Sequence, residues 1–195
     1  MTTAYEKATA LIDEAHSEDP NKITVNGEEV PYELHYAQKM DHYLALRAPN
    51  AVSETLRLAI RSQHFRRWEV PRSSYPMTRI GYHSWRTFLK KRQAEQTAKI
   101  CLDCGFSEEE AERVAALIRK EDLKSDEETQ ILEDVACLVF LDDQFEAFQK
   151  DHDEDKIIKI LQKTWGKMTD TGHELALKIP MEGRAKELVE KALAG

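Results

Sequence analysis

The sequence predicts an all-α protein, a single compact domain over residues 1–195 with about nine helices. Apolar residues recur at helical spacing in nearly every segment. Residues that favour the start of a helix stand in front of these segments, as Ser53 and Asp126 do. Proline and glycine separate the segments, and no run of long alternating strands is present. These observations favour one helical core over a mixed or sandwich fold.

The first third of the chain is expected to hold three helices and one hairpin. The first helix covers residues 4–18, because its apolar residues lie on one face and Asp19-Pro20 closes it. Residues 23–30 contain Asn26-Gly27, the pair that favours a tight hairpin turn, and they are the only β structure expected. The next two helices cover residues 31–47, with Pro31 in the first turn, and 53–66.

The remaining two thirds begin with a loop, expected from Glu69 to Arg79 because it holds Pro71 and Pro76. Six more helices are then predicted, over residues 81–104, 107–120, 126–150, 154–168, 171–178 and 183–194. Gly105 ends the first of them, and Ser107 with a glutamate three residues later forms a capping box for the second.

Composition restricts the class of protein and its location. The chain has 195 residues, 41% of them hydrophobic and 33% charged, as expected of an ordinary globular protein. No apolar run approaches the roughly 20 residues that span a bilayer, the N-terminus lacks the features of a signal peptide, and the three cysteines suit a reducing compartment. We therefore expect a cytoplasmic protein without a membrane partner. A net charge of -8 argues against nucleic acid as a partner. The oligomeric state stays open.

Three polar residues lie where helical periodicity places apolar ones. His64 follows Leu56 and Ile60 at four-residue spacing, Gln93 lies on the stripe of the long helix, and Asp134 lies within the most apolar helix. A buried carboxylate is costly unless it is paired or bound to metal, so we expect these three side chains to meet. They are interpreted either as a structural hydrogen-bonded pair of His64 and Asp134, or as a metal or catalytic site.

An arginine cluster follows His64 directly and runs against the acidic average of the chain. Arg66, Arg67 and Arg72 flank a proline-rich loop, and guanidinium groups bind carboxylate or phosphate with two parallel hydrogen bonds. The aromatic residues of this region are expected either to form the wall of an anion cleft or to pack beneath the loop: Trp68, Tyr75 and Trp85. The alternative for the arginines is internal salt bridges to nearby acids.

Three runs of the sequence carry a resemblance that covers nearly the whole chain: AIRSQHFRRWEVPRSSYPMTRIGYHSWR, LIRKEDLKSDEETQILEDVACLVFL and KILQKTWGKMTDTGHELAL. They resemble a family of intracellular helical proteins defined only as a domain of unknown function, number 4202. Some members of that family are labelled glutamyl-tRNA synthetase. The chain lacks the nucleotide-binding strand-loop-helix and the HIGH motif of such an enzyme, and residues 166–170, GKMTD, match a KMSKS loop poorly.

A more distant similarity is to the HD superfamily of metal-dependent phosphohydrolases, which are all-α domains. Their motif is a histidine, a His-Asp doublet and a later aspartate on separate helices. His64 resembles the doublet histidine and Asp134 the final aspartate, while some relatives place a histidine where Gln93 stands. Phe65 replaces the doublet aspartate, and the nearest equivalents of the first histidine are His35 and Glu33. The resemblance implies an HD-like fold and a divalent metal held by His64, Asp134 and Gln93.

These observations lead to three hypotheses about function. The first is an HD-like hydrolase of a small phosphorylated or nucleotide-like anion, in which His64 and Asp134 are catalytic and hold the metal or a water molecule. In this hypothesis Arg66, Arg67 and Arg72 hold the phosphate. The second is a non-catalytic domain that senses an anion or binds a partner through a degenerate metal site. The third is a structural adaptor helix bundle. Bound metal separates the first from the others.

Overall fold

A computed structural model describes residues 2–50 and 52–194 of the chain. Within these residues the fold is all-α, with a single two-stranded hairpin, and the predicted fold class is confirmed. The strands are β1 (Lys22–Val25) and β2 (Glu28–Pro31). The helices are α1 (Ala4–Ser17), α2 (Tyr32–Arg47), α3 (Glu54–Arg61), α4 (Arg79–Cys104), α5 (Glu108–Arg119), α6 (Glu127–Val139), α7 (Phe145–Phe148), α8 (Glu154–Trp165), α9 (Asp170–Ala176) and α10 (Gly183–Ala194).

The chain divides into two compact units, which are described separately below. The first unit comprises residues 1–42 and 50–122, and the second comprises residues 43–49 and 123–195. The boundary falls inside α2, whose residues 32–42 belong to the first unit and 43–47 to the second. The expectation of one domain over the whole chain stays a prediction.

The hairpin of the first unit forms as the sequence predicts. Its antiparallel register pairs Val25 with Glu28, so that only Asn26 and Gly27 connect the strands. Both turn residues have positive φ, 51° and 86°, the backbone conformation that a two-residue type I′ turn requires. Asparagine and glycine are the residues that adopt it at least cost.

The third helix is shorter than predicted. We expected it to run to Arg66, but α3 ends at Arg61 and the chain leaves the helix through a series of turns. Within them, His64 and Arg66 adopt left-handed φ values of 63° and 49°. Such values are uncommon for residues other than glycine and cost about 1–2 kcal/mol each. The turn therefore has to be held in place by contacts from elsewhere in the first unit.

The core of the first unit is made by helix packing. The long helix α4 packs against α5 and α1, and α3 packs against both α5 and α1. Side chains with no exposed surface fill these contacts: Ala8, Ile12, Leu56, Leu58, Ile60, Val114 and Leu117. The sequence predicted part of this core, because Ala8 and Ile12 share one face of α1, and Leu56 and Ile60 share one face of α3.

The predicted loop before α4 contains short helical turns. Two 3-10 turns cover Arg67–Glu69 and Arg72–Ser74, and α4 begins at Arg79, two residues before the predicted start. Thr78 caps the helix by accepting a hydrogen bond from the amide of Gly81 at 3.1 Å. Gly81 itself lies against the backbone of Pro76, too close for any side chain.

The second unit contains the most apolar helix of the sequence, which is interrupted. Residues 126–150 were predicted as one helix, but α6 ends at Val139 and a π-helical turn over Phe140–Gln144 precedes the short α7. A π turn adds one residue to a helical turn and is often associated with function. The remaining helices, α8 to α10, complete the unit. None of the helices in the described chain is long and apolar enough to span a membrane.

Candidate functional site

His64 is held between an aromatic ring and a cation in the first unit. Its half-buried imidazole stacks on the ring of Tyr36 with centroids 4.0 Å apart and planes tilted by 16°. Nε2 of His64 lies 2.7 Å from Nη1 of Arg67. Because a guanidinium can only donate, Nε2 of His64 accepts this hydrogen bond, so the ring is neutral with its proton on Nδ1.

Arg67 extends from His64 over the indole of Trp85. The guanidinium carbon lies 4.7 Å from the centre of that ring, a cation–π arrangement. Trp85 is buried, and its Nε1 donates to the carbonyl of Val70 at 2.9 Å, which fixes the ring beneath the arginine. Arg67 has no carboxylate partner among the residues that the structure describes. Its charge is therefore not neutralised by the protein.

Arg86, the residue after Trp85 on α4, adds a second cation without a carboxylate partner among the described residues. It is half-buried and has no hydrogen bond or ion pair to any of the described residues. Its charge acts on both His64 and Arg67. Arg67 and Arg86, called the arginine pair below, thus lie within electrostatic reach of each other in a chain whose net charge is -8.

The pKa values of the site reflect burial first and the excess of positive charge second. Burial, followed by the charges of Arg67 and Arg86, lowers the pKa of His64 well below its usual range. Burial and the charge of Arg86 also lower the pKa of the Arg67 guanidinium, while the nearby phenol groups of Tyr36 and Tyr82 act in the opposite direction. Both groups are therefore in surroundings that disfavour positive charge and favour the approach of an anion.

The lowered pKa of His64 predicts a pH dependence of stability. Below pH about 6.5 the unfolded chain protonates this histidine while the folded chain does not, so stability falls as the pH falls. A His64→Asn variant, whose side chain tolerates the left-handed backbone, should lose less stability between pH 7 and pH 5 than the wild type, by at most about 1.4 kcal/mol per pH unit.

Urea unfolding followed by circular dichroism at each pH would measure this difference. The matched control is His83→Asn, which makes the same substitution at an exposed position of α4. Equal slopes for the His64→Asn variant and the wild type would contradict the prediction.

Glu33, in the first turn of α2, holds the backbone that carries Arg67. It is 3% exposed, and its carboxylate accepts the amide N–H of Arg66 at 2.9 Å and that of Trp68 at 3.2 Å. The same carboxylate faces Nδ1 of the fully buried His16 at 3.2 Å. Both amide neighbours of Arg67 are thus fixed by one buried side chain. The amide of Glu33 is in turn bound by the carboxylate of Asp19 at 3.0 Å.

The other predicted arginines have partners within the first unit. Arg66 forms ion pairs with Glu18 and Glu69, each at 2.8 Å, as the structural interpretation of the cluster predicted. Arg72 donates to the backbone carbonyls of residues 75, 76 and 78 and so pins the proline-rich loop. Its guanidinium carbon also lies 6.0 Å from the ring centre of Trp85. Of the three arginines expected to hold phosphate, Arg67 is the one beside His64.

The predicted aromatic residues take different roles. Trp85 lies under Arg67, as a wall of the candidate site should. Tyr75 packs against Phe88, with ring centroids 6.2 Å apart. The Nε1 of Trp68 is buried, with no hydrogen-bond partner among the described residues. Trp85 is therefore the aromatic residue for which the geometry supports a role in binding.

Gln93 lies in the interior of the first unit, as predicted. It is 6% exposed, and its Nε2 finds no hydrogen-bond partner within the described part of the chain. Leaving such a donor unpaired costs about 1–3 kcal/mol. A hydrogen bond from Nε2 of Gln93 to a water molecule or a ligand atom would remove that cost. The expectation that Gln93 belongs to a metal site stays a prediction.

The surroundings of His64 do not suit a divalent metal ion. Metal ligation needs a free lone pair on the imidazole, but Nε2 accepts Arg67 and the neighbouring charges are positive. Within residues 2–50 and 52–194, no three His, Cys, Asp or Glu side chains are grouped so that they could hold a metal. The chemistry of this donor set favours an anion.

Asp134, the other predicted catalytic residue, is fully buried in the second unit. One carboxylate oxygen accepts from Nε of Arg47 at 2.6 Å and from the Thr169 hydroxyl at 2.5 Å. The other accepts the Thr169 amide at 2.8 Å and is 3.4 Å from Nε2 of Gln130. Asp134 thereby ties α6 to the cap of α9. That His64 and Asp134 share a site stays a prediction, as does their catalytic role.

The second unit also contains an apolar cavity of about 200 Å³. Most of its lining is aliphatic or aromatic, from Leu141, Leu161, Trp165, Ala176, Leu177, Ile179, Met181, Val189, Ala192 and Leu193. Its charged lining residues, Lys186 and Glu190, are 3.9 Å from each other and so compensate one another. The cavity lacks the convergent polar groups that orient a ligand. The arginine pair is the better candidate for a functional site.

Several residues of the candidate site were missed from the sequence. Arg86, Tyr36, Tyr82 and His16 were not selected as site residues. One signal pointed to Arg86: residues 70–94 contain six Lys and Arg residues and no Asp or Glu. Such a segment has no acids of its own to neutralise its arginines. No pattern in the sequence brings Tyr36 to His64, since the two lie on different elements.

Comparison with known proteins identifies a family. A family model described as "Domain of unknown function (DUF4202)" matches residues 6–189. No curated protein matches the chain. No solved structure matches it either. The match covers almost the whole sequence, both units included.

Proposed function

The chain belongs to the DUF4202 family, whose description assigns no function, and on the geometry of the first unit we propose that it binds a small phosphate-bearing anion at the arginine pair. One observation carries this proposal. Arg67 and Arg86 are half-buried, close enough to affect each other, and without a carboxylate partner among the described residues. A protein with an excess of acidic residues leaves these two charges unneutralised.

A bound anion would offset the repulsion between the guanidinium groups of Arg67 and Arg86. Two like charges taken out of water repel each other and lose solvation, which is costly unless an opposite charge is supplied. Glu and Asp residues supply it elsewhere in the first unit, as Asp13 and Asp41 do for Arg61 at 2.7 and 2.5 Å. At the arginine pair no described carboxylate supplies it, and a bound anion would.

The donors around the pair suit phosphate better than a single carboxylate. Two guanidinium groups offer several N–H donors in planar forks. The phenol groups of Tyr36 and Tyr82 lie near Arg67, and Nδ1–H of His64 has no partner among the described residues. A phosphate ester presents two charges and three peripheral oxygens to such a set. Tyr82 is 45% exposed, so solvent reaches the edge of the site.

Hydrolysis of the bound ester, as in an HD-like enzyme, is the second candidate function. It would need His64 and Asp134 to share a metal ion or a water molecule. The lone pair of His64 that would take a proton is occupied by Arg67, and the oxygens of Asp134 are occupied by Arg47 and Thr169. These contacts support binding more directly than catalysis. Release of phosphate from a phosphomonoester by the purified protein, with and without added Mn²⁺, would test this candidate.

The binding proposal predicts stabilisation by phosphate. Free phosphate at 100 times its Kd adds about 2.7 kcal/mol to the stability of the folded state, which corresponds to a rise in melting temperature of roughly 5–10 °C. Arg67→Ala and Arg86→Ala should each abolish most of this rise. Without phosphate, Arg86→Ala should melt at or above the wild-type temperature, because it removes a repulsive charge.

Thermal melts in phosphate, and in sodium chloride of equal ionic strength, would measure these effects. Lys91→Ala is the matched control: it removes an exposed cation from the same helix, where Lys91 only pairs with Glu95 at 3.8 Å, and it should keep the full response. If the wild type does not respond to phosphate, or if Arg86→Ala responds fully, the proposal is wrong.

A further inference from the structure

We infer that Glu33 is the positioning residue of the anion site: it sets the place of Arg67 without touching the ligand. The inference rests on the proposed function, because it concerns the same site. Arg67 lies between two residues whose backbone amides are both bound by the Glu33 carboxylate, at 2.9 Å for Arg66 and 3.2 Å for Trp68. The side chain proposed to bind the anion thus projects from a turn whose backbone is held on both sides of Arg67.

The turn needs this support because it is strained. His64 and Arg66 both have left-handed backbone conformations, with φ of 63° and 49°, which persist only where surrounding structure determines them. α3 has ended at Arg61, and the turn that follows has single-turn backbone hydrogen bonds, from the Phe65 amide to the Ser62 carbonyl at 3.1 Å and from the Arg67 amide to the His64 carbonyl at 2.9 Å. Glu33 reaches the turn from α2, a separate element, and accepts the amide of Arg66 that lies between these two hydrogen bonds.

His16 fixes Glu33 in turn. Its Nδ1 faces the carboxylate of Glu33 at 3.2 Å, and its Nε2 faces the carbonyl oxygen of Arg61 at 2.9 Å. Both neighbours are hydrogen-bond acceptors, so a proton on either ring nitrogen has an acceptor in reach. The imidazole also meets the edge of the Phe65 ring, with centroids 5.6 Å apart. The Glu33 carboxylate thus contacts two amides of the turn and the ring of His16, and these three contacts restrict its rotation.

A substitution that keeps the size of Glu33 tests the inference. Glu33→Gln replaces one carboxylate oxygen by an NH₂ group, which cannot accept an amide N–H, so one of the two anchors of the turn is lost. We expect the Kd for inorganic phosphate, measured by titration calorimetry at 15 °C, to rise at least about tenfold, a loss of roughly 1.4 kcal/mol. Hydrogen exchange should accelerate at the amides of residues 66–68.

A second variant of similar stability serves as the control. It distinguishes a misplaced Arg67 from a general destabilisation of the first unit. Leu117→Ala removes a fully buried side chain of α5 in the same unit and should lower the melting temperature at least as much as Glu33→Gln. Its Kd for phosphate should stay within twofold of the wild type, because the turn is untouched. A Glu33→Asp variant, which keeps both acceptors on a shorter stem, should bind more tightly than Glu33→Gln.

The outcomes distinguish this inference from the proposed function. If Glu33→Gln binds phosphate as the wild type does while Arg67→Ala does not, the positioning role is wrong and the anion site stands. Equal weakening in Glu33→Gln and Leu117→Ala would also overturn the positioning role, since the effect would then follow stability alone. A wild type that binds no phosphate overturns both proposals, because there is then no site to position.

Discussion

Replacing Asp134 by alanine is expected to destabilise the protein by about 3–5 kcal/mol, the usual cost of removing one partner from a buried ion pair. The carboxylate has no exposed surface and accepts from Arg47 and from both the amide and the hydroxyl of Thr169. Its removal leaves a guanidinium without its counter-charge and the cap of α9 without its acceptor. The loss would be visible in urea unfolding and in the melting temperature.

Two further variants test whether the loss of stability comes from the buried carboxylate of Asp134. Asp134→Asn keeps the volume of the side chain and one acceptor oxygen, so it should cost less than alanine does. Asp170→Ala removes an exposed carboxylate at the start of α9, and its cost should stay below about 1 kcal/mol. A loss of stability below about 1 kcal/mol for Asp134→Ala would contradict a structural role. Such a small loss would instead support the catalytic role that the sequence suggested for Asp134.

Gly81→Ala is the second variant with a large expected effect. A Cβ at this position would lie 2.1 Å from the carbonyl oxygen of Pro76 and 2.9 Å from its carbon. Backbone atoms cannot move aside as a flexible side chain can, so the loop before α4 would have to shift. The same oxygen accepts from Arg72 at 2.7 Å, and that hydrogen bond would be strained as well. We expect a loss of about 2–3 kcal/mol, despite the better helix propensity of alanine.

Thermal melts of Gly81→Ala beside Gly166→Ala would check this expectation. At Gly166 the nearest atom to an added Cβ is the carbonyl oxygen of Gln162 at 3.4 Å, an ordinary contact. The Gly166→Ala variant should therefore melt near the wild-type temperature. If the two variants were equally stable, the close approach of α4 to the loop would not exist in solution.

The helices were predictable from sequence where local signals agree. Ser107 and Glu110 form the predicted capping box of α5, and Asn26-Gly27 forms the predicted turn. These features depend on residues a few positions apart, whose preferences act in the same direction as the fold. The two prominent errors have a different origin. After α3 ends at Arg61, the chain enters a turn whose Arg66 amide is bound by Glu33, a residue far away in sequence.

The interruption of the most apolar helix could not be predicted from the sequence either. Leu138, Leu141 and Phe145 keep nearly helical spacing on one face, so periodicity alone predicts continuous α-helix across residues 140–144. A π turn changes the hydrogen bonding of the backbone without changing the pattern of apolar residues enough to be noticed. Its presence depends on packing within the second unit.

The candidate site was predicted only in part, because some of its contacts join residues that are far apart in the sequence. His64 and Arg67 are three residues apart and could be identified together. Tyr36 and Arg86 reach His64 from α2 and α4, and such contacts depend on how helices pack, which no local pattern specifies. The polar residues on apolar stripes proved buried: Gln93 and Asp134. Burial follows from periodicity, but the identity of a partner does not.

The left-handed turn at His64 and Arg66 has a consequence for laboratory evolution of this protein. Glycine adopts such a conformation without steric cost, so it would relieve about 1 kcal/mol of backbone strain at either position, at the expense of the stacking of His64 on Tyr36 or of the ion pairs of Arg66 with Glu18 and Glu69. At position 64 that gain would remove the imidazole that orients Arg67. If the arginine pair binds phosphate as proposed, selection for heat tolerance alone would weaken that binding, and variants that survive heating should be assayed for phosphate binding.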